Sequence, residues 1–273
     1  MKTILLLSFF LFFSCSDDSF KKVEKLGDFR VLGIQASNSE VNANTNVSFN
    51  LLISDIDGGG RVVALEIEGC TDPGVTQGAQ PNCDHDPAKF SASVPDITAS
   101  LNAPNYTEMV TLIPTVPVSV SILTGRSARD QFNGVGYLVT FTFDVEGEKI
   151  KTFKRIIVTN RSSLNSNPSF DDNTDLLLNG SEINNSLPAI GDKLTLKAGN
   201  PENYQFQNID GSIEDKTEKF EIAWYSSYGE FSKPKSFTQE EVELKTSKTN
   251  STASVFVVVI RDGRGGLDYI IKE

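Results

Sequence analysis

Apolar and polar residues alternate along most of this chain, and this pattern restricts the fold more than any other feature. Residues 46–53 are an example, with apolar side chains at every second position: Val47, Phe49, Leu51 and Ile53. A period of two places such side chains on one face of a β-strand, whereas a helix needs a period of about 3.6. No stretch after residue 28 has a convincing helical pattern. The sequence therefore predicts an all-β protein.

The alternating segments recur at the spacing typical of β-sandwiches, with turn residues between them. We predict strands at residues 29–34, 46–53, 61–67, 107–120, 136–145, 149–159, 193–197, 219–226, 242–245, 254–261 and 267–271. Residues 55–60 and 146–148 are rich in acidic residues and glycine, and they predict two hairpin turns. Pro114 and Pro117 interrupt one strand and predict an edge position for it, because proline cannot donate a ladder hydrogen bond.

The segment 161–175 is poor in apolar residues and rich in Ser, Asn and Asp, which is typical of a linker. It divides the chain into a first sandwich at residues 28–160 and a second at residues 176–273. The sequence thus predicts two tandem modules, each long enough to bury a core of its own.

The N-terminal residues predict a cleaved export signal. A single lysine precedes an apolar run at residues 4–13, which is too short to cross a bilayer because crossing takes roughly 20 apolar residues. The tetrapeptide Phe12-Phe13-Ser14-Cys15 resembles the lipobox of bacterial lipoproteins, although Leu and a small residue are more usual in its first two positions. The resemblance implies a signal peptide at residues 1–14, lipid on Cys15 and a tether at residues 15–27. An ordinary signal peptide cleaved nearby is the alternative.

A lipid on Cys15 implies a cell-envelope protein of the outer membrane, facing either side, with the membrane as its first partner. Each buried acyl CH₂ contributes about 0.8 kcal/mol, so two or three chains hold a protein stably. The chain has 36 acidic and 25 basic residues, for a net charge of −11. Such a surface repels nucleic acid phosphates, and we expect no nucleic acid partner.

Cysteine usage agrees with export. Cys70 and Cys83 are the remaining cysteines, and an even pair in an oxidising compartment predicts a disulfide that closes a loop. A metal site is the weaker alternative, because His85 is the one histidine of the chain and zinc needs three or four ligands.

The sequence offers little support for a hydrolytic site with a serine or cysteine nucleophile. The sequence has no Gly-x-Ser-x-Gly elbow, and a Ser/His/Asp or Cys/His centre would depend on His85. A carboxylate pair acting on glycans stays open, because acidic residues are abundant and their pairing in space is invisible in the sequence. We predict no catalytic residue and no enzyme, with a carbohydrate-active or other hydrolytic envelope enzyme as the alternative.

Asp55 and Asp57 are candidate calcium ligands. They lie two residues apart and precede three glycines, an arrangement that hard, oxygen-seeking cations can use. The segment lacks the third acidic position and the distal Glu of an EF-hand loop. Asp-Gly is also the commonest way to build a hairpin turn, so we favour a turn over a calcium site. No other cofactor is expected.

Two stretches of the chain resemble Gram-negative surface lipoproteins with immunoglobulin-like or PKD-like domains. The first stretch is residues 29–36 followed by Val41 and Asn42. The second is the strand that contains Trp224, together with residues 259–266. The resemblance implies two tandem immunoglobulin-like β-sandwich modules of about seven strands each, with Trp224 packed between the sheets of the second. It further implies that Trp224→Ala unfolds the second module and spares the first. The second module has no cysteine pair around Trp224, unlike antibody-type domains.

These features lead to the hypothesis of a lipid-anchored envelope protein with a non-catalytic binding or structural role. Residues 70–83 and their neighbours 84–95 are the predicted contact surface for a protein or glycan ligand, because long ordered loops are often functional. A pure spacer with no ligand is the alternative within the same class.

We expect Cys70→Ser and Cys83→Ser each to lower the melting temperature of the first module under oxidising conditions. In the chain-entropy model, closing a loop of this length stabilises the fold by ~3 kcal/mol, because it restricts the unfolded chain. Scanning calorimetry with and without reductant measures the effect. Equal melting of the wild type in both conditions would contradict the bridge.

Overall fold

The computed structural model describes residues 24–73, 83–84, 86, 89–246 and 253–273. Cys15, the predicted signal peptide and His85 lie outside these residues. The described part of the chain forms strands, turns and one short helix, and it contains no helix with the length and apolarity needed to span a membrane.

The first module pairs a three-stranded sheet with a five-stranded sheet. Its elements are β1 (Arg30–Ala36), β2 (Glu40–Val41), β3 (Asn46–Val47), β4 (Phe49–Ser54), β5 (Val63–Thr71), β6 (Phe90–Val94), β7 (Thr107–Thr111), β8 (Val116–Pro117), α1 (Ala128–Asn133), β9 (Val135–Val145) and β10 (Glu148–Val158). The smaller sheet has the order β1-β4-β7 and the larger has the order β2-β10-β9-β5-β6, while β3 and β8 form a separate pair. Strand β2 runs parallel to β10, and the other pairs are antiparallel.

An aromatic core joins the two sheets of the first module. Phe49 of β4 and Phe141 of β9 meet edge to face with ring centroids 5.4 Å apart, and Phe29 lies 5.3 Å from Phe143. All four side chains are buried. The consecutive strands β4 and β5 lie in different sheets, which is the connection of an immunoglobulin-like sandwich.

The second module has the same two-layer design. Its strands are β11 (Leu176–Leu178), β12 (Ser181–Glu182), β13 (Lys193–Leu196), β14 (Asn203–Gln207), β15 (Ile213–Thr217), β16 (Glu221–Ser226), β17 (Gly229–Phe231), β18 (Lys235–Phe237), β19 (Val242–Thr246), β20 (Phe256–Arg261) and β21 (Leu267–Lys272). One sheet has the order β12-β11-β13-β19-β17 and the other has the order β18-β16-β20-β21. Strands β14 and β15 form a separate hairpin between β13 and β16.

Trp224 of β16 lies at the centre of the second core, as the sequence predicted. Its side chain is fully buried and its ring centroid lies 5.8 Å from that of Phe231 and 6.2 Å from that of Phe256. The indole N–H donates to Ser236 Oγ at 2.8 Å, which satisfies the one polar atom of the ring inside the core.

The predicted fold class is confirmed, since the chain folds into two tandem immunoglobulin-like β-sandwiches. Glu146 and Gly147 join β9 to β10 in the predicted hairpin, with φ values of 53° and 91° that a type I′ turn requires. Strand β7 lies at the edge of its sheet, next to Pro114, as predicted.

Residues 55–60 do not form the predicted hairpin turn. Strand β4 pairs with β1 and β7, while β5 pairs with β6 and β9, so this segment crosses from one sheet to the other. Alternation determines which face of a strand is buried but does not determine its partner. The sequence also did not predict the short or polar elements β2, β6, β11, β12, β14, β15, β17, β18 and α1.

A third apolar core joins the two modules. It lies between the outer face of β1 and β4 and the outer face of β16 and β20, and its most buried members include Leu32, Leu52, Ala223, Val257 and Val259. Gly33 of β1 allows the close approach, because a Cβ at this position would lie 2.8 Å from Leu267 Cδ1. The modules therefore form one packed body.

The predicted linker segment, residues 161–175, connects β10 to β11 and packs against both modules. Asn167 Nδ2 donates to the carbonyl of Ala36 at 2.8 Å, and Asn167 Oδ1 accepts from the backbone N–H of Leu267 at 3.2 Å. Phe170 meets Phe220 edge to face at 5.3 Å. The connection is thus a part of the interface rather than a free tether.

We expect Trp224→Ala to lower the stability of the whole protein by ~3–5 kcal/mol, the usual cost of truncating a large buried aromatic side chain. Because the modules share an apolar interface, both should unfold in one transition, and not the second module alone. Scanning calorimetry measures this, with Phe237→Ala at a 51% exposed ring as the matched control. Two separate transitions with the first unchanged would show that the modules are independent.

Candidate functional site

A network of buried charges crosses the junction of the two modules. Its centre is Glu40 of β2, which is 1% exposed. Oε1 of Glu40 accepts from the guanidinium of Arg161, and Oε2 accepts from Arg264 Nη2 at 2.8 Å and from the N–H of Asn165 at 3.0 Å. Arg264 also donates to Glu218 Oε1 at 3.1 Å. One buried acid of the first module thereby holds an arginine of the connecting segment and an arginine of the second module.

The turn between β20 and β21 brings Arg264 into this network. Asp262 shapes the turn, because its Oδ1 accepts from the N–H groups of Arg264 at 2.7 Å and of Gly266 at 2.8 Å. Gly263 and Gly265 adopt φ values of 79° and 105°, which glycine tolerates best. The predicted turn therefore positions the side chain of Arg264 so that it reaches Glu40 across the junction.

Asn165 extends the network toward β10. Its Nδ2 donates to Ser39 Oγ at 2.7 Å and to Asp262 Oδ2 at 2.8 Å, while its Oδ1 has no partner among the described residues. Lys154 of β10 donates to the carbonyl of Gly265. Burial lowers the pKa of Lys154 to about 8, although the nearby Asp262 favours its charged form.

A groove of about 680 Å³ lies over this network, between α1 of the first module and β14 of the second. Arg161 and Arg264, 15% and 13% exposed, form its floor. Phe132 and Tyr204 form its walls, with the guanidinium carbon of Arg161 5.7 Å from the Phe132 ring centroid and that of Arg264 4.3 Å from the Tyr204 centroid. Amide and hydroxyl side chains complete the lining, among them Gln131, Asn160, Ser162, Ser163, Asn203 and Gln205.

The width of the groove is set by hydrogen bonds between the β14–β15 hairpin and the first module. Asn133 Nδ2 donates to the carbonyl of Gln207 at 2.8 Å, and Asn133 Oδ1 accepts from the N–H of Gln207 at 2.8 Å. Arg161 Nη1 donates to the carbonyl of Gln205 at 3.0 Å. Ser127 caps α1 by accepting a backbone N–H of its first turn at 3.1 Å. Both walls are therefore held in place by the first module.

A second cavity of about 480 Å³ adjoins the groove on the side of β10. Phe153, Arg155 and Phe206 line it, and Arg155 is paired with Asp72. Aromatic rings and paired guanidinium groups thus continue from the groove onto the neighbouring surface.

The predicted disulfide between Cys70 and Cys83 is confirmed, with the two sulfur atoms 2.05 Å apart. Cys70 pairs with Leu138 near the start of β9, directly after α1, so the bridge lies at the groove end of the first module. Of the predicted contact surface at residues 70–95, residues 74–82, 85, 87 and 88 lie outside the described residues, while β6 lies within them.

Asp55 and Asp57 lie at the other end of the first module. Both carboxylate oxygens of Asp55 accept from the guanidinium of Arg61, at 2.7 and 3.0 Å, and the N–H of Asp57 donates to the carbonyl of Gly27 at 2.9 Å. Within the described part of the chain, no group of three His, Cys, Asp or Glu is placed to hold a metal ion. The ion pair closes the connection between β4 and β5, and a calcium site there stays a prediction.

Sequence reasoning did not find the residues of the groove floor. It predicts Arg264 only as part of a turn and Arg161 only as part of a linker. Glu40 and Arg264 are 224 positions apart, so their contact depends on how the modules pack. The one available signal is position: Glu40 directly precedes Val41, and Arg264 lies within residues 259–266, both of which belong to the stretches that carry the family resemblance.

We expect Glu40→Gln to destabilise the protein by ~3–5 kcal/mol, because it leaves two largely buried arginines without the carboxylate between them. The matched control is Glu182→Gln, which removes a half-exposed partner of Lys197 at 3.2 Å and should cost at most about 1 kcal/mol. Urea unfolding followed by circular dichroism measures both variants. Equal effects would mean that the junction network contributes no more than a surface ion pair.

No protein-family model matches this chain, and no curated protein is similar to it. Among solved structures, it is similar to the C-terminal 282-residue fragment of intimin in complex with the intimin-binding domain of the translocated intimin receptor, with 11% identity and a TM-score of 0.23. That match covers 89% of this chain and 63% of the intimin fragment, less than two thirds of its length. The D0–D1 domain of intimin matches with 10% identity and a TM-score of 0.20, covering 89% and 98% of the two chains. Both scores are low, and the immunoglobulin-like fold is assigned from the strand order of the two sandwiches.

Proposed function

We propose that this protein is a non-catalytic binding protein of the cell envelope, anchored by lipid on Cys15 and holding its groove away from the membrane. One observation carries the proposal: the first described residues join the second module at the end opposite to the groove.

Residues 24–26 attach at the last residue of β16. The N–H of Leu26 donates to the carbonyl of Ser226 at 3.0 Å, and the N–H of Ser226 donates to the carbonyl of Glu24 at 3.1 Å. Ser226 pairs with Phe256 at the start of β20, whereas the turn that forms the groove floor follows Arg261 at the end of β20. Strands rise about 3.3 Å per residue, so the length of β20 separates the two ends by roughly 17 Å.

The short tether limits how far this end can lie from a membrane. Only residues 16–23 separate Cys15 from Glu24. At ~3.5 Å per residue, an extended chain places Glu24 within about 30 Å of the lipidated residue. A lipid on Cys15 would therefore be attached at the Ser226 end of the protein, opposite to the groove.

Rigid packing of the modules also supports a binding role. The interface core and the Glu40 network fix both walls of the groove before any ligand arrives. A preformed site loses less conformational entropy on binding, so more of the contact energy appears as affinity. A spacer without a ligand would not need such a concave, aromatic surface.

The pairing of the acids favours binding over hydrolysis. Glu40 is engaged by two arginines, and Glu218 accepts from Arg264 at 3.1 Å and from the N–H of Glu202 at 3.0 Å. Burial raises the pKa of Glu218, and these two donors hold its oxygens within the protein. A general acid or base needs free reach to a substrate atom, which this pairing opposes.

We expect the wild-type protein, expressed in a Gram-negative host, to incorporate labelled palmitate and to fractionate with membranes. Cys15→Ser should abolish the label and release the protein, because the lipid is attached through the thiol. Cys83→Ser, which keeps Cys15, is the control and should remain labelled. A Cys15→Ser protein that retains the label, or an unlabelled wild type, would rule out the anchor.

Protease added to intact cells then shows whether the protein faces the cell exterior or the periplasm. A known periplasmic protein serves as the control for leakage of protease through the outer membrane. Rapid loss of the protein would indicate a surface-exposed groove, and survival until the outer membrane is broken would indicate a periplasmic one.

A further inference from the structure

We propose that the groove between α1 and β14 binds a neutral oligosaccharide of two or three units, an assignment that rests on the binding function proposed above. The argument uses the charge of the floor, the chemistry of the rim, the aromatic walls and the backbone edge of β14.

Both arginines of the groove floor are paired with carboxylates, so the floor offers no free positive charge to a ligand. Arg161 is held by Glu40, and Arg264 is held by Glu40 at 2.8 Å and by Glu218 at 3.1 Å, with Glu202 at 3.8 Å. An anionic ligand would have to displace one of these carboxylates, and a cationic ligand would meet guanidinium groups. The floor therefore favours a neutral ligand, and it gives that ligand a rigid polar base.

The rim is made of groups that both donate and accept hydrogen bonds. Gln131, Asn160, Asn203 and Gln205 contribute amides, and Ser162 and Ser163 contribute hydroxyls. The hydroxyls of a sugar also act as both donors and acceptors, so each can form hydrogen bonds with an amide or hydroxyl side chain of the rim. Asn160 Nδ2 already donates to Gln131 Oε1 at 2.8 Å, and Gln205 Nε2 donates to Asp215 Oδ1 at 3.2 Å. Each amide has two N–H donors and a carbonyl with two lone pairs, so these side chains keep further hydrogen-bonding capacity for a ligand.

The two walls supply apolar surfaces suited to the C–H faces of a sugar ring. Phe132 comes from the first module and Tyr204 from the second, and both rings are partly exposed where they line the groove. The volume of about 680 Å³ falls within the range of small-ligand sites. Such a space accommodates a short oligosaccharide between two stacking surfaces.

The backbone of β14 is not free to take up a peptide strand. On the side that faces away from β15, the N–H and carbonyl of Gln207 are bonded to Asn133, and the carbonyl of Gln205 is bonded to Arg161. Strand addition needs a row of unpaired backbone N–H and carbonyl groups along the strand edge. At Gln205 and Gln207 the groups named above already have partners within the protein. This occupancy favours an oligosaccharide over an extended peptide.

The test uses the full chain purified from membranes in detergent. Titration calorimetry measures binding of trimers of glucose, xylose and N-acetylglucosamine, of uronic acid trimers, and of a set of unrelated peptides. We expect at least one neutral trimer to bind. Phe132→Ala and Tyr204→Ala should each weaken this binding by about tenfold, the effect of losing one aromatic contact.

Two further variants separate loss of binding from loss of fold. Tyr204→Phe keeps the ring and should retain most of the affinity, and Phe237→Ala removes an exposed ring elsewhere and should retain all of it. Circular dichroism melting of each variant confirms that it is folded.

Binding of neutral trimers that the wall variants lose supports the proposal. Binding of uronic acid trimers alone, or neutral binding that survives both wall variants, overturns it. Peptide binding that Tyr204→Ala abolishes overturns the sugar assignment and leaves the proposed binding function intact. If a folded wild type binds none of the probes, the sugar assignment fails, and the anchor is then judged separately by palmitate labelling.

Discussion

The packing of two sheets, outer face against outer face, is the interaction on which the rest of the structure depends. An isolated sandwich needs an apolar inner face only, and its outer faces can meet water. Here Leu32 and Leu52 of the first module and Val257 and Val259 of the second are apolar on their outer faces and are buried at the interface. Burial of these side chains, at about 25 cal/mol per Å², makes two modules into one body.

The charged network depends on that packing in turn. Once the apolar interface brings the modules together, Glu40 is removed from water and its two arginines become its available partners. Buried ion pairs add little net stability because desolvation opposes them, but their directional geometry fixes one arrangement over others. The groove between Phe132 and Tyr204 has a defined width because this arrangement is fixed.

The local elements were largely predictable, and their partners were not. Strand β20 carries five consecutive buried residues. Its apolar run predicts a buried, central strand without any knowledge of the elements that pack against it. Residues 55–60 show the limit, because an Asp-Gly segment suits a hairpin and a crossing between sheets equally well. The hairpin β14–β15 was missed because β15 is polar and exposed, and the alternation of β14 is limited to Tyr204 and Phe206.

The sequence by itself determined the all-β class, the two modules and the disulfide, because each depends on local pattern or on residue chemistry, and the family resemblance implied the buried role of Trp224. The tertiary structure alone decided that Arg161, Arg264 and Glu40 meet, and that the groove lies opposite the N-terminal attachment. Those contacts join positions as far as 224 residues apart. No local periodicity encodes such a pairing, because it follows from which outer faces of the two sandwiches are buried together.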